Sequence, residues 1–173
     1  MRGVRVIVFA VVLSILGGCG GWHLRGVQNY GSATRHEFFV RSAGAYNVFV
    51  ALQQEITNRG GALVSSPGTA QIIVDVERER FDRRILSVDP DTGKVREIEL
   101  GLAVTFTART SDGRLLIPRE EATFEQDYVF DEGSVLGTVA VDEIVQRELA
   151  QLAATSIALR LQALRLPENS AGS

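Results

Sequence analysis

Few side chains of this 173-residue chain have the types and spacing that catalysis or metal binding requires. Cys19 is the only cysteine, which excludes an internal disulfide and a zinc site made of several cysteines. The two histidines, His23 and His36, lie thirteen positions apart and lack the close spacing of a metal-binding helix motif. We therefore expect neither a bound metal nor another cofactor.

A group of carboxylates near residue 120 is the remaining candidate for acid–base chemistry. It consists of Glu120, Glu121, Glu125 and Asp127. The surrounding apolar residues alternate with period two, which predicts a strand whose solvated face carries the last three acids. Such a face is favoured over a glycosidase pair, which also needs a cleft. The sequence has no nucleophile elbow, P-loop or dinucleotide-binding motif, so we expect no catalytic residue and no enzyme.

Composition and charge narrow the class of protein further. Apolar residues make up 45% of the chain and charged residues 23%, as in a folded globular protein. The formal net charge is −3. Removing residues 1–18, with Arg2 and Arg5 and no acid, leaves 16 basic against 21 acidic residues, or −5. This balance argues against nucleic-acid binding.

The first 18 residues have the layout of a secretory signal. Met1 to Arg5 is basic, Val6 to Leu16 is apolar except for Ser14, and two glycines follow. Spanning a bilayer takes roughly 20 apolar residues, whereas this run has about 13 even with the two glycines counted, so a permanent transmembrane anchor is the weaker interpretation. We assign 1–18 as a signal peptide.

The tetrapeptide Leu16-Gly17-Gly18-Cys19 resembles a bacterial lipobox. The resemblance implies cleavage before Cys19, which then carries a diacylglyceryl thioether and an acylated amine, including palmitate-type chains. Three acyl chains exceed what stable membrane attachment needs. Gly20, at the second mature position where aspartate usually means inner-membrane retention, favours the outer membrane. The alternative is an ordinary signal peptide with an incidental cysteine.

The rest of the chain is expected to form a tether, one folded domain and a disordered tail. Residues 19–36 are the lipidated N-terminus and tether, 37–166 a single α+β domain, and 167–173 the tail. A short strand is predicted at Glu37 to Arg41. A helix over Tyr46 to Asn58, ended by Gly60, should follow. Its inner side is predicted to comprise Tyr46, Phe49, Val50, Gln53, Ile56 and Thr57, with Leu52 beside them.

Three long strands and a helix are predicted after a loop at Ala62 to Thr69. The strands are Gln71 to Val88, Val95 to Ala108 and Leu115 to Phe130, joined by turns at Asp89–Gly93 and Ser111–Gly113. In the first strand, Asp75, Glu77 and Glu79 should point outward, with a phase change near Phe81 and Ile85. In the second, alternate residues from Ile98 to Ala108 should face inward. Pro118 suits an edge strand.

The final helix is predicted over Thr138 to Leu166. Asp142 and Glu143 would lie in its first turn and Arg160 and Arg165 in its last. The order β-α-β-β-β-α predicts an α+β two-layer sandwich, with a four-stranded mixed or antiparallel sheet and two helices on one face. Strands of 18 residues span roughly 60 Å and a 29-residue helix about 43 Å, so the Asp89–Gly93 hairpin should protrude unless the strands are coiled or bulged.

The protruding hairpin carries most of the candidate ligand-binding charge. Arg83, Arg84, Lys94 and Arg96 lie among several acids. They form either a solvated hairpin of mixed charge or an element that contacts a partner or an anionic ligand.

The chain resembles the LptE family of lipopolysaccharide-assembly outer-membrane lipoproteins. "CGGWHLRG" is similar to the family's mature N-terminus, with one additional glycine, and further similar stretches follow in the family's order: "RGGALV", "VDPDTGKVREIEL", "DGRLLIP" and "DYVFDEGSVLG". The resemblance implies a plug in the lumen of an LptD-like β-barrel. Together the two proteins would insert lipopolysaccharide into the outer leaflet of a Gram-negative bacterium.

The resemblance also implies that the lipoprotein assists barrel assembly and can bind lipopolysaccharide, whose phosphates need Lys or Arg partners. Candidates here are Lys94, Arg96, Arg83 and Arg84. The alternative function is that of another outer-membrane lipoprotein, an adaptor or a periplasmic lipid carrier.

Overall fold

The computed structural model describes residues 36–130 and 135–164, with the backbone alone for 135–139. The elements are β1 (Glu37–Ser42), α1 (Tyr46–Asn58), β2 (Ala62–Leu63), β3 (Ile72–Val88), β4 (Val95–Thr110), β5 (Leu115–Val129) and α2 (Val135–Ala163). The predicted signal peptide, the lipidation site Cys19, the tether up to residue 35 and the tail lie outside the described residues.

The strands form one mixed sheet in the order β2-β1-β3-β4-β5. β1 runs parallel to β2 and β3, whereas β3, β4 and β5 pair antiparallel. Buried residues of both helices share one core with the same face of β3 and β4. The predicted α+β class with two helices is therefore confirmed.

The sheet has five strands where four were predicted, and the additional strand is β2. β2 has only two residues and lies where a loop was predicted. Its pairing with β1 continues in the hydrogen bonds from Ala62 N to His36 O (3.0 Å) and from Val64 N to Phe38 O (2.9 Å). Two residues are too few to show a period of two, so the sequence pattern did not indicate this strand.

Helix α1 has the predicted bounds, but its predicted inner face is only partly correct: Leu52 and Ile56 are buried and Phe49 packs against the core, whereas Tyr46 and Val50 are not part of it. The buried residues are Val48, Leu52 and Ile56, spaced four apart, whereas Tyr46 is 73% and Val50 46% exposed. Apolar residues occur on more than one side of this helix, and packing against the sheet selects the face. The helix ends as predicted, with Gly60 at a φ of 86° and Gly61 N donating to Ile56 O.

Strand β4 is the centre of the core. The six alternate residues from Ile98 to Ala108 are each 2% exposed or less, which confirms their predicted inward face. Opposite them, Leu149, Ala153, Ile157 and Leu161 of α2 are buried.

Helix α2 is as long as predicted but begins and ends three residues earlier. Asp142 and Glu143 consequently lie in the third turn and not in the first, so the predicted interaction with the start of the helix dipole is wrong. Arg160 lies in the last turn, as predicted. Arg165 lies outside the described residues. The three additional residues at its start include Gly137.

In β3, the alternation of inward and outward side chains changes at a bulge that lies closer to the N-terminus than predicted. The register with β4 shifts between Val76 and Arg78, before the predicted position near Phe81. Glu79 therefore pairs with Val104 and lies on the helix side of the sheet, contrary to its predicted outward position. Its carboxylate accepts hydrogen bonds from Asn47 N (3.0 Å) and Val48 N (2.9 Å) at the start of α1. It supplies the helix cap that the side chain of Ala45 cannot.

Candidate functional site

The hairpin arm, residues 83–97, contains all four basic residues predicted to contact lipopolysaccharide. Two further register shifts occur between Ile85 and Val88, near its outer end. Ile85 is 54% and Val88 52% exposed, so the apolar side chains here are not covered by the helical layer as the core is. The arm therefore presents both apolar and basic side chains to its surroundings.

The turn at the tip of the arm is organised by Asp89. Its Oδ1 accepts hydrogen bonds from Asp91 N (3.1 Å), Thr92 N (2.9 Å) and Thr92 Oγ1 (3.0 Å). Its Oδ2 accepts from Arg96, with Nε at 2.9 Å. Gly93 adopts a φ of 71°, a left-handed conformation that glycine adopts without steric cost. The predicted turn at Asp89–Gly93 is thus held by one carboxylate.

These donors also stabilise the charged form of Asp89. The Arg96 guanidinium, followed by the hydrogen bonds from Thr92, lowers the pKa of Asp89 to about 2. At neutral pH the tip is therefore an internal ion pair in which the acid of the turn partly neutralises Arg96.

Arg83 faces the helices and joins the arm to α2. Its Nε lies 3.7 Å from Asp142 Oδ2, and its guanidinium carbon lies 5.4 Å from the centre of the Phe130 ring. The hydroxyl of Tyr128 donates a hydrogen bond to Oδ1 of the same Asp142. Burial, together with this hydrogen bond, raises the pKa of Tyr128 above its usual value. Arg83 is thus built into a contact among β3, β5 and α2.

The other basic residues of the arm have different surroundings. Arg84 points to the opposite face of the sheet, where its guanidinium lies 2.6 Å from Glu99. Lys94 lies in the tip beside the Asp89–Arg96 pair, and its backbone oxygen accepts a hydrogen bond from Asp89 N at 2.7 Å. The structure brings Lys94 and Arg96 together but places Arg83 and Arg84 on opposite faces. The four do not form one basic cluster.

Sequence reasoning missed the residues that position the arm. Asp142 was predicted only as a residue that interacts with the helix dipole, and Tyr128 and Phe130 only as part of the strand from Leu115 to Phe130. Their meeting depends on the register in which Ile98 pairs with Tyr128 and on where α2 begins. No local spacing in the sequence carries that information.

The face of the sheet away from the helices, here the open face, carries the predicted carboxylate group. Glu121, Glu125 and Asp127 lie there, opposite Thr105, Gly101 and Glu99 of β4, as the alternation predicted. Glu120 lies on the helix side and pairs with Arg160. Across β4, the β3 column includes Arg78 and Arg80. The β3 column also contains Asp82, opposite Gly101, so it is of mixed charge, whereas the β5 column is acidic. Between them, β4 contributes the small residues Gly101, Ala103 and Thr105.

Neither a metal centre nor a membrane-spanning helix is found in the described part of the chain. No group of three or more His, Cys, Asp or Glu side chains within 36–130 and 135–164 could hold a metal ion. His36 uses its Nδ1 in a 3.1 Å hydrogen bond with Gln71 Oε1. Within the same ranges, no helix is long and apolar enough to cross a bilayer.

A family comparison decides the relationship of this chain. The LptE family, described as lipopolysaccharide-assembly, matches residues 45–161, which is more than half of the chain. The chain belongs to the LptE family. The matched range begins at the start of α1 and extends almost to the end of α2, so it includes the arm and the open face. A comparison with curated protein sequences finds no match.

Solved structures with the same fold include three bacterial lipoproteins. An uncharacterized lipoprotein B from Nitrosomonas europaea aligns with a TM-score of 0.64 at 19% identity, covering 74% of this chain and 83% of that one. The rare lipoprotein B from Shewanella oneidensis aligns at 0.61 and 20% identity, covering 73% and 93%. A minor lipoprotein from Acinetobacter baumannii aligns at 0.60 and 20% identity, covering 77% and 98%. At these identities the likeness concerns the fold of this LptE-family domain.

Proposed function

We propose that this protein is a lipid-anchored outer-membrane lipoprotein that plugs an LptD-like β-barrel and with it assembles lipopolysaccharide into the outer leaflet. The observation that carries the proposal is the LptE family match over residues 45–161. In this role the protein is a non-enzymatic assembly factor that also assists folding of its barrel.

The open face suits the interior of a barrel. The lumen of a large outer-membrane barrel is polar and hydrated. A domain inside it needs polar outer surfaces on a rigid core, and the open face combines charged columns with threonines. Exposed charges such as Arg80 and Glu125 can remain solvated there.

Co-purification tests the partner. A C-terminally tagged full chain, extracted from membranes in mild detergent, should bring down a large outer-membrane β-barrel in equal molar amount. A matched variant, Leu52→Ala, removes a fully buried side chain of α1 and should reduce the yield of the complex through loss of folded protein. Recovery of the intact chain without any barrel would contradict the plug.

The proposed anchor is Cys19. A Cys19→Ala variant, expressed without its barrel, should move from the membrane fraction to the soluble periplasmic fraction, because no acyl chain is attached. Mass spectrometry of the wild-type N-terminus should detect the acyl chains on Cys19. Sedimentation of the variant with membranes under these conditions would contradict the lipid anchor.

Direct contact with lipopolysaccharide is proposed for the arm, at Lys94, Arg96, Arg83 and Arg84. Arg84 and Arg96 have side chains 63% and 66% exposed, so each can reach a phosphate with donors that its carboxylate partner leaves unused. A double variant, Lys94→Glu with Arg96→Glu, should weaken binding to lipopolysaccharide at least tenfold. The matched control is Arg119→Glu, which reverses the charge of a β5 residue away from the arm and should bind like wild type. Equal binding by wild type and the double variant would remove the arm from the lipid site.

A further inference from the structure

Strand β5 is a long edge strand whose outer backbone groups point away from the sheet. Phe130 N donates to Arg96 O at 2.8 Å, so even-numbered residues near this end direct their N–H and C=O groups toward β4. In an antiparallel ladder these directions alternate, so the odd-numbered residues from Glu121 to Val129 direct theirs outward. Among the described residues, no strand pairs with this edge.

The helical layer beside this edge has exposed apolar side chains. Gln126 of β5 donates a hydrogen bond to Glu148 of α2 at 2.9 Å, which shows which side of α2 lies over β5. Leu152 follows Glu148 by four residues and Leu159 follows Leu152 by seven, so all three lie on one side of the helix. Both leucines are 51% exposed. A sixth strand beside β5 would cover them as the present strands cover the core.

The open side of the same edge carries an acidic column. Glu121, Glu125 and Asp127 are exposed, and none of them forms an ion pair with another residue in the described part of the chain. An added strand would place alternate side chains beside this column and the intervening side chains beside Leu152 and Leu159. Charge complementarity therefore requires basic residues at every second position and apolar residues between them.

A second copy of the chain does not meet this requirement. Antiparallel pairing of two β5 strands would set their acidic columns side by side, and like charges across a strand pair are destabilising. We propose that the outer edge of β5 binds an extended segment of another protein, in which Lys or Arg alternates with apolar residues. The segment adds to the sheet as a sixth strand, with backbone hydrogen bonds to the odd-numbered residues. This inference goes beyond the proposed function and does not depend on the barrel being the partner.

Amide hydrogen exchange measured with a defined peptide tests the added strand. The probe is a peptide of about nine residues that alternates lysine with valine, long enough to pair along residues 121–129. In the free protein, the amides of Thr123, Glu125 and Asp127 should exchange fast, while those of Phe124 and Gln126 are protected by β4. Saturation with the peptide should slow the odd-numbered amides at least tenfold, and binding should weaken as salt is added.

A proline variant tests the outer edge and leaves the backbone hydrogen bonds between β4 and β5 in place. Thr123→Pro removes an outward N–H, and edge strands tolerate proline at such positions. It should lower the affinity for the peptide about tenfold or more, whereas the matched control Thr123→Ala keeps the N–H and should bind like wild type. Intact folding is checked by circular dichroism, and the exchange pattern of the wild type tests the proposal if the variant misfolds.

Three results would overturn the inference. The first is unchanged exchange of the odd-numbered amides at saturating peptide. The second is equal binding by a peptide of the same composition in which the lysines and valines form two blocks. The third is sedimentation as a dimer together with protected odd-numbered amides in the absence of peptide, which would assign the edge to a second copy of the chain.

Discussion

The carboxylate of Glu79 joins the sheet to the first helix. Its position follows from one extra residue in β3, because the bulge between Val76 and Arg78 turns Glu79 toward α1. It satisfies the amides of Asn47 and Val48, which the helix itself leaves without partners.

Removing this cap should destabilise the domain. Glu79→Ala should lower the free energy of unfolding by about 1–2 kcal/mol, the usual effect of losing a helix cap. The control is Glu77→Ala, which breaks the exposed ion pair with Arg119 (2.6 Å) and should cost at most about 1 kcal/mol. Urea unfolding followed by circular dichroism measures both. Equal, small losses would mean that the cap does not support α1.

Asp89 makes the order of the hairpin tip depend on pH. Its pKa in the folded protein is about 2, below the ordinary value of 3.8. Its contribution to the turn is therefore complete above about pH 4 and is lost as the pH falls toward 2. NMR titration of the side-chain carboxyl carbon should give a midpoint near 2, and Asp89→Asn should abolish this step. A midpoint close to 3.8 would contradict the ion pair with Arg96.

The sequence showed which residues of the arm are charged, but it did not show which acids pair with them. The sequence placed four basic residues in the arm among acids. Among the residues that the structure describes, Arg83 pairs with Asp142, Arg84 with Glu99 and Arg96 with Asp89. Only the Asp89–Arg96 pair is local enough to follow from a turn motif. The pair that joins Arg83 to α2 depends on tertiary packing across distant parts of the chain.

At the scale of elements, the hydrophobic pattern of α1 predicts where the helix begins and ends better than it predicts which face is buried. Its bounds were predicted correctly, because a glycine ends it and the apolar period runs through it. Its buried face was predicted only in part: Leu52 and Ile56 are buried, but the prediction also included Tyr46 and Val50, which are exposed, and omitted Val48. The strands of the sheet were predicted better, since a period of two leaves only two choices of face.

Paired substitutions on α1 distinguish the two faces. Leu52 is fully buried, and Leu52→Ala should reduce the free energy of unfolding by about 3 kcal/mol through the cavity it leaves. Val50 is 46% exposed, and Val50→Ala should change stability by no more than about 0.5 kcal/mol. Thermal or urea unfolding compares the two variants. A larger loss for Val50→Ala would restore the face that the sequence pattern favoured.

At the scale of the whole molecule, the domain presents two different surfaces. The open face is charged, with a β3 column of mixed charge and an acidic β5 column on the two sides of β4. The outer side of the helices combines charges with scattered apolar residues such as Val50 and Leu152. A plug should have both surfaces close to the barrel wall, whereas an adaptor docked from outside would bury one of them.

Site-specific photocrosslinking in living cells separates these arrangements most directly. A photoreactive amino acid is placed in turn at Arg80 on the open face, Val50 on the outer side of α1 and Thr92 at the tip of the arm, all of which are exposed. The plug predicts crosslinks to the same outer-membrane β-barrel from both Arg80 and Val50, on opposite sides of the domain. Crosslinks to a barrel from one of these two sides only, or from neither, would contradict the account.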